Sequence, residues 1–241
     1  MKRTLIIVLM FWNLLFGADA QSQDPGWANK SRYEQANKDI MSQPPDLHRV
    51  VLMGNSITEF WAETHPQFFA DNHLVGRGIS GQVSSQMLVR FRQDVLNLYP
   101  RAVVINCGTN DIAENNGPYD EDITVDNIRS MAELAHSHGI DVVLSSVLPC
   151  DRFVWNPSVN GVQGKIASLN RRIIQLAEEL NLPYIDYFTP METGEQHALN
   201  PAYTEDGVHP NAAGYDVMEG VLLKVIGQHD PTSHNEEEIT L

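Results

Sequence analysis

The chain has 241 residues, 42% of them hydrophobic, and a formal net charge of −15 from 16 Lys and Arg against 31 Asp and Glu. Its length suits one α/β domain with a sizeable core, and the acidic balance sets aside nucleic acid and anionic membranes as partners. Only 2 cysteines occur, too few for a disulfide framework. Each closes an apolar run, so Cys107 and Cys150 are expected as buried free thiols, with a bond between neighbouring strands as the open alternative.

Lys2 and Arg3 precede the apolar run Leu5 to Phe16, and Ala18-Asp19-Ala20 has the small-x-small pattern of a signal-peptidase site. Residues 1–20 are therefore expected to be a signal peptide cleaved after Ala20, leaving a secreted or periplasmic protein. The run is shorter than the ~20 apolar residues that span a bilayer, and no integral membrane segment is expected in the mature chain. Residues 21–46 form a polar lead-in that includes Pro44-Pro45 and has room for one short helix around Ser31 to Met41. The main domain is placed at 47–228, followed by a polar tail, 229–241, carrying Glu236-Glu237-Glu238.

Within the main domain, strand-like runs at 49–53, 73–77, 102–107, 141–148 and 183–188 each carry Val, Ile, Leu or Tyr, are bounded by Gly, Pro, Asn or Asp, and predict buried parallel strands. Between them lie helical stripes. Met87, Leu88, Phe91 and Val95 form one; Val125, Ile128, Met131, Ala132 and Ala135 form another, which ends at Gly139. Ile166, Leu169, Ile173, Leu176, Ala177 and Leu180 precede Asn181 and Pro183, and a last pattern runs from Ala212 to Ile226. Strands alternating with helices imply a doubly wound α/β sandwich.

Three segments carry chemistry. The run Val50 to Met53 stops at Gly54 and delivers Ser56 onto the turn that follows; Gly108-Thr109-Asn110-Asp111 follows a second apolar run; and Asp206-Gly207-Val208-His209-Pro210 supplies a histidine with a carboxylate three residues before it. A serine needs a base to become a nucleophile, and histidine fits that task near neutral pH. His209 is the candidate base, with Asp206 to orient its ring. Each residue has a structural alternative: a helix N-cap for Ser56, a loop position for His209, a turn former for Asp206. The remaining histidines show no metal-ligand spacing, since His136 and His138 would face different sides of a helix.

In that order and strand context the segments resemble the SGNH hydrolases, also called GDSL esterases. The resemblance covers roughly residues 48 to 225 and implies a flavodoxin-like fold with a five-stranded parallel sheet in the order 2-1-3-4-5. It implies catalytic Ser56, Asp206 and His209, and an oxyanion hole made by the backbone N–H groups of Ser56 and Gly81 and the side-chain amide of Asn110. Gly81 is preferred to Gly78 because Gly78-Ile79-Ser80-Gly81 resembles the family's glycine turn. The chain departs from the family at Asn55, where an aspartate is usual; asparagine keeps the size without the charge.

The expected function is an exported serine esterase hydrolysing short acyl groups, above all acetyl, from carbohydrates or other small molecules, with no cofactor and no metal. A lysophospholipase or thioesterase acting on longer chains is the alternative within the class, and a non-catalytic carbohydrate-binding protein the alternative outside it. Phe153 and Trp155, in the loop after the fourth run, are candidates for substrate contact, with plugging of the loop as the other reading.

Overall fold

The computed structural model describes residues 26–194 and 197–228. The signal peptide expected at 1–20, with cleavage after Ala20, and the polar tail expected at 229–241 lie outside the described residues. Helix α1 (Glu34–Met41) occupies the lead-in, within the stretch expected for it. Strand β1 (Val50–Gly54) leads into α2 (Ser56–Thr64) and α3 (Pro66–Asp71) before β2 (Leu74–Gly78). The chain continues through α4 (Ser84–Asp94), β3 (Ala102–Ile105), α5 (Thr109–Ile112), α6 (Glu121–Ser137) and β4 (Asp141–Ser145). Then come α7 (Val162–Leu180), β5 (Tyr184–Ile185), α8 (Phe188–Met191), a small hairpin of β6 (Glu192–Thr193) and β7 (Ala198–Leu199), and α9 (Ala212–Gln228).

Strands β1 to β5 form one parallel sheet in the order β2-β1-β3-β4-β5. Side chains alternate across a strand, and β1 shows the result. Val51 and Met53 enter the core under α4, α6 and α7, whereas Val50 and Leu52 enter the core on the opposite face with Trp61 of α2, Phe69 of α3 and Tyr215 of α9. Both faces are covered, which is why the central strands β1 and β3 are buried at every position and read as unbroken apolar runs rather than as alternating ones.

Strands β3, β4 and β5 are shorter than the runs expected for them, and for the last two the reason is specific. Beyond Ser145, the backbone N–H and C=O of Val147 bond to the Asn170 side chain at 2.8 and 3.0 Å. Beyond Ile185, the N–H groups of Tyr187 and Phe188 donate to Ser146 Oγ at 2.9 and 3.0 Å. Backbone groups of Val147, Tyr187 and Phe188 are thus satisfied by side chains instead of a ladder. Sheet order reverses at β1, which lies between β2 and β3, so the crevice of such a fold opens beyond the carboxyl ends of these strands.

Candidate active site

The turn after β1 is held from three sides. Asn55 caps α2, its Oδ1 accepting from Ile57 N–H at 3.1 Å, so Ser56 is the first residue of the helix rather than its cap. Arg90, fully buried on α4, donates to Gly54 O at 2.9 Å and to Arg77 O at 3.0 Å, and its charge is met by Asp94 at 3.0 Å. Tyr215 Oη donates to Ile57 O at 2.9 Å. Asn55 supplies the turn bond that an aspartate would, at a cost: its Nδ2 is buried and has no hydrogen-bond partner among the described residues.

Ser56 Oγ lies 2.9 Å from His209 Nε2, and His209 Nδ1 lies 2.7 Å from Asp206 Oδ2. The local chain explains the second contact. Asp206 Oδ1 accepts from the N–H groups of Val208 and His209 at 2.9 and 2.8 Å, while Thr204 Oγ1 donates to His209 O at 2.7 Å, closing the loop on itself. Partial burial pushes the Asp206 carboxyl up, but hydrogen bonds from the His209 ring and from both backbone N–H groups outweigh it and hold the group below the usual carboxylate range. An ionised Asp206 keeps the ring proton on Nδ1 and leaves the Nε2 lone pair to the serine hydroxyl.

The two glycines of the turn after β2 have separate tasks. A Cβ at Gly78 would lie 2.3 Å from Glu59 N and 2.4 Å from Asn55 O, so its absence is what lets α2 start beside β2. Gly81 has φ +78°, the left-handed region that glycine adopts without strain, and it lines the cleft at Ser56. Glu59, one turn along α2 from Ser56, accepts from Ser80 N–H at 2.7 Å and from Ser80 Oγ at 2.6 Å, tying this turn to the serine helix. The Asn110 side chain, 3% exposed, donates from Nδ2 to Gln82 O at 2.9 Å. Its second N–H is the one left for the cleft.

The cleft has a volume of about 280 Å³ and is lined by Ser56, Phe60, Ser80, Gly81, Asn110, Asn115, Trp155 and His209. Phe60 and Trp155 both stand against the imidazole, with ring centroids 5.3 and 6.2 Å from that of His209. Of the two aromatic residues singled out after the fourth run, only Trp155 lines the cleft. Phe153 is corrected to a core residue: it is 1% exposed and packs against the Trp155 ring at 5.1 Å, the plug on which the indole rests. Phe60, Ser80 and Asn115 escaped the sequence reading because nothing in their local spacing distinguishes them from surface positions.

Cys107 and Cys150 are buried free thiols. Burial raises both, the first well above its ordinary value and the second to about 12, so neither is a nucleophile near neutral pH. One grouping was not legible in the sequence: His65, Asp216 and Glu219 place their ligand-type atoms within 4.8 Å of one another. Here the Glu219 Oε1 atom is occupied by His65 Nδ1 at 2.5 Å and Trp61 Nε1 at 3.2 Å, pinning α9 to the corner between α2 and α3.

The profile of the GDSL-like Lipase/Acylhydrolase family matches residues 52–217. A crystal structure of a candidate acylhydrolase from Bacteroides fragilis is similar at 53% identity and a TM-score of 0.82, covering 84% of this chain and 98% of that one. A GDSL-like lipase from Bacteroides thetaiotaomicron matches at 50% identity and 0.81, covering 84% and 99%. An acetylxylan esterase from Geobacillus stearothermophilus shares the fold at 18% identity and 0.61, covering 75% and 94%. No curated protein matches the chain.

Proposed function

The chain belongs to the GDSL-like lipase/acylhydrolase family of carboxylic ester hydrolases, and on that premise we propose that it is an exported serine esterase removing short acyl groups, acetyl first among them, from carbohydrates or other small neutral esters. Export is supported by the leader pattern of residues 1–20. Among the described residues no helix is long and apolar enough to cross a membrane.

The observation that carries the reading is the relay Ser56 Oγ to His209 Nε2 at 2.9 Å and His209 Nδ1 to Asp206 Oδ2 at 2.7 Å. Ser56 Oγ attacks the ester carbonyl while its proton passes to His209 Nε2, and Asp206 stabilises the imidazolium. The oxyanion is received by the backbone N–H groups of Ser56 and Gly81 and by Asn110 Nδ2. As the first residue of α2, Ser56 has an N–H with no intrahelical acceptor. Collapse expels the alcohol, which takes the proton from His209. Water then attacks the acyl-enzyme by the same relay in reverse and frees the acid.

The substrate class is supported by the cleft lining. Apart from His209 it holds no ionisable side chain, so nothing there would pair with a phosphate or a substrate carboxylate, and the acidic surface repels anionic lipid. The acetylxylan esterase among the structural relatives names the kind of ester to test first. The decisive experiment is a series of p-nitrophenyl esters from acetyl to palmitoyl, given to the wild type and to Ser56→Ala. Preference for acetyl, lost in Ser56→Ala by up to about a millionfold as in comparable triads, is the expected result. Preference for palmitoyl would give the function to the longer-chain alternative, and undiminished turnover in Ser56→Ala would end the proposal.

A further inference from the structure

We propose that Asn115 is a positioning residue that couples the oxyanion hole to the aromatic wall of the cleft; this rests on the esterase reading and the role given there to Asn110. The chain makes room for it just after α5. Glu114 turns through the left-handed region at φ +60°, uncommon for a residue with a side chain, and Asn115 N–H donates back to Asn110 O at 3.1 Å. The turn sets the Asn115 side chain against that of Asn110.

Both ends of that amide are used, and each on a residue of the cleft. Oδ1 accepts from Trp155 Nε1 at 2.9 Å, and Nδ2 donates to Asn110 Oδ1 at 3.0 Å and to Gly81 O at 3.2 Å. Its orientation is not free to reverse, because indole N–H only donates and a backbone carbonyl only accepts. With Asn115 Nδ2 facing it, the Asn110 amide must present Oδ1 on that side. Asn110 Nδ2 is thereby turned toward Gln82 O and the cleft. Asn115, acting with Gln82 O on the other end, thus fixes which end of the Asn110 amide faces the substrate oxygen, bonds the Gly81 carbonyl, and anchors the Trp155 indole, all from one side chain.

Asn115→Asp separates these tasks. The new carboxylate still accepts from Trp155 but meets Asn110 Oδ1 and Gly81 O acceptor to acceptor, so the hole is disturbed while the wall keeps its anchor. The expected result with p-nitrophenyl acetate is a kcat lower by about ten- to a hundredfold, the scale of a misaligned catalytic group, with KM changed less than about threefold. Trp155→Phe, which removes the indole N–H together with part of the ring that walls the cleft and leaves Asn115 in place, should do the opposite and move KM more than kcat. In an Asn110→Ala background, Asn115→Asp should cost less than about twofold more, since the group it positions is already gone. Asn115 is exposed, so the variants are expected to fold, and titration with an organophosphonate counts the competent sites. Wild-type kcat per titrated site in Asn115→Asp, or the same fold loss with and without Asn110, would overturn this proposal alone. Full activity in Asn110→Ala would overturn the hole assignment and this proposal together.

Discussion

Truncating Asn110 to alanine tests the site where stability and catalysis are most easily confused. The side chain is 3% exposed, donates to Gln82 O at 2.9 Å and accepts from Asn115 Nδ2 at 3.0 Å. Removing it leaves one buried carbonyl and one amide N–H unpaired. A buried group left unsatisfied costs about 1–3 kcal/mol, and the Asn115 N–H still has Gly81 O nearby, so the net loss is set at about 2 kcal/mol. For a domain of this size that lowers Tm by roughly 4–8 °C. The catalytic loss is separate: deleting one oxyanion donor costs about 2.7–4 kcal/mol, a hundred- to thousandfold in kcat. The assay is steady-state hydrolysis of p-nitrophenyl acetate at 20 °C, with active sites counted by organophosphonate titration and Tm followed by circular dichroism. A Tm shift of the expected size with kcat per titrated site within threefold of wild type would refute the donor role and leave Asn110 a structural turn residue.

Asp206→Asn should lower kcat/KM strongly but less completely than His209→Ala, because it disturbs the orientation and tautomer of the base without removing it; the reverse ranking in steady-state kinetics would rule out His209 as the base. The same variant carries a pH signature. The folded value of Asp206 lies below its unfolded value, so its ionised form contributes stability that is present above the ordinary carboxylate range and lost as pH falls through the depressed folded value. The Tm gap between wild type and Asp206→Asn should therefore shrink as pH falls below about 4, and a gap that widens there contradicts the assignment. Cys107 and Cys150, buried with raised thiols, should resist a disulfide reagent at pH 8 until denaturant is added; two rapidly reacting thiols in the native protein would contradict their placement.

How legible all this was depended on how far each function reached along the chain. The parallel strands announced themselves because a strand covered on both faces is apolar at every position, as in Val50 to Met53. Asp206 and His209 were legible as a pair because one loop makes their contact. Helix α2 enters the sequence reading only through the alternative of Ser56 as a helix N-cap, because its apolar residues, Ile57, Phe60 and Trp61, sit in a segment too short to show a stripe. Phe153 and Trp155, two positions apart in an irregular loop, could not be told apart by residue type, since burial of one and exposure of the other is decided by what packs beneath them. Asn115 carried no signal at all. Its three partners come from Gly81, Asn110 and Trp155, and a polar residue whose meaning lies in contacts across the fold looks in sequence like any loop asparagine.

The lead-in before β1 has a bearing on how the protein can be shortened. It lies outside the stretch that the family profile matches, yet it closes over the back of the catalytic frame: Asn37 Nδ2 donates to Asp94 Oδ1 at 2.7 Å, Arg77 Nε donates to Asn37 Oδ1 at 2.9 Å, and Gln82 Nε2 donates to Ala28 O at 2.8 Å. Asp94 is the counter-ion of Arg90, which grips the end of β1, and Gln82 is the residue whose carbonyl holds Asn110. A recombinant fragment trimmed to the profile bounds would keep every residue that lines the cleft and still strip partners from the buried groups that hold those residues in place. At about 1–3 kcal/mol for each group left unsatisfied, set against the 5–15 kcal/mol that typically separates a folded domain from its unfolded chain, a minimal esterase cut at those bounds would lose its frame before its chemistry.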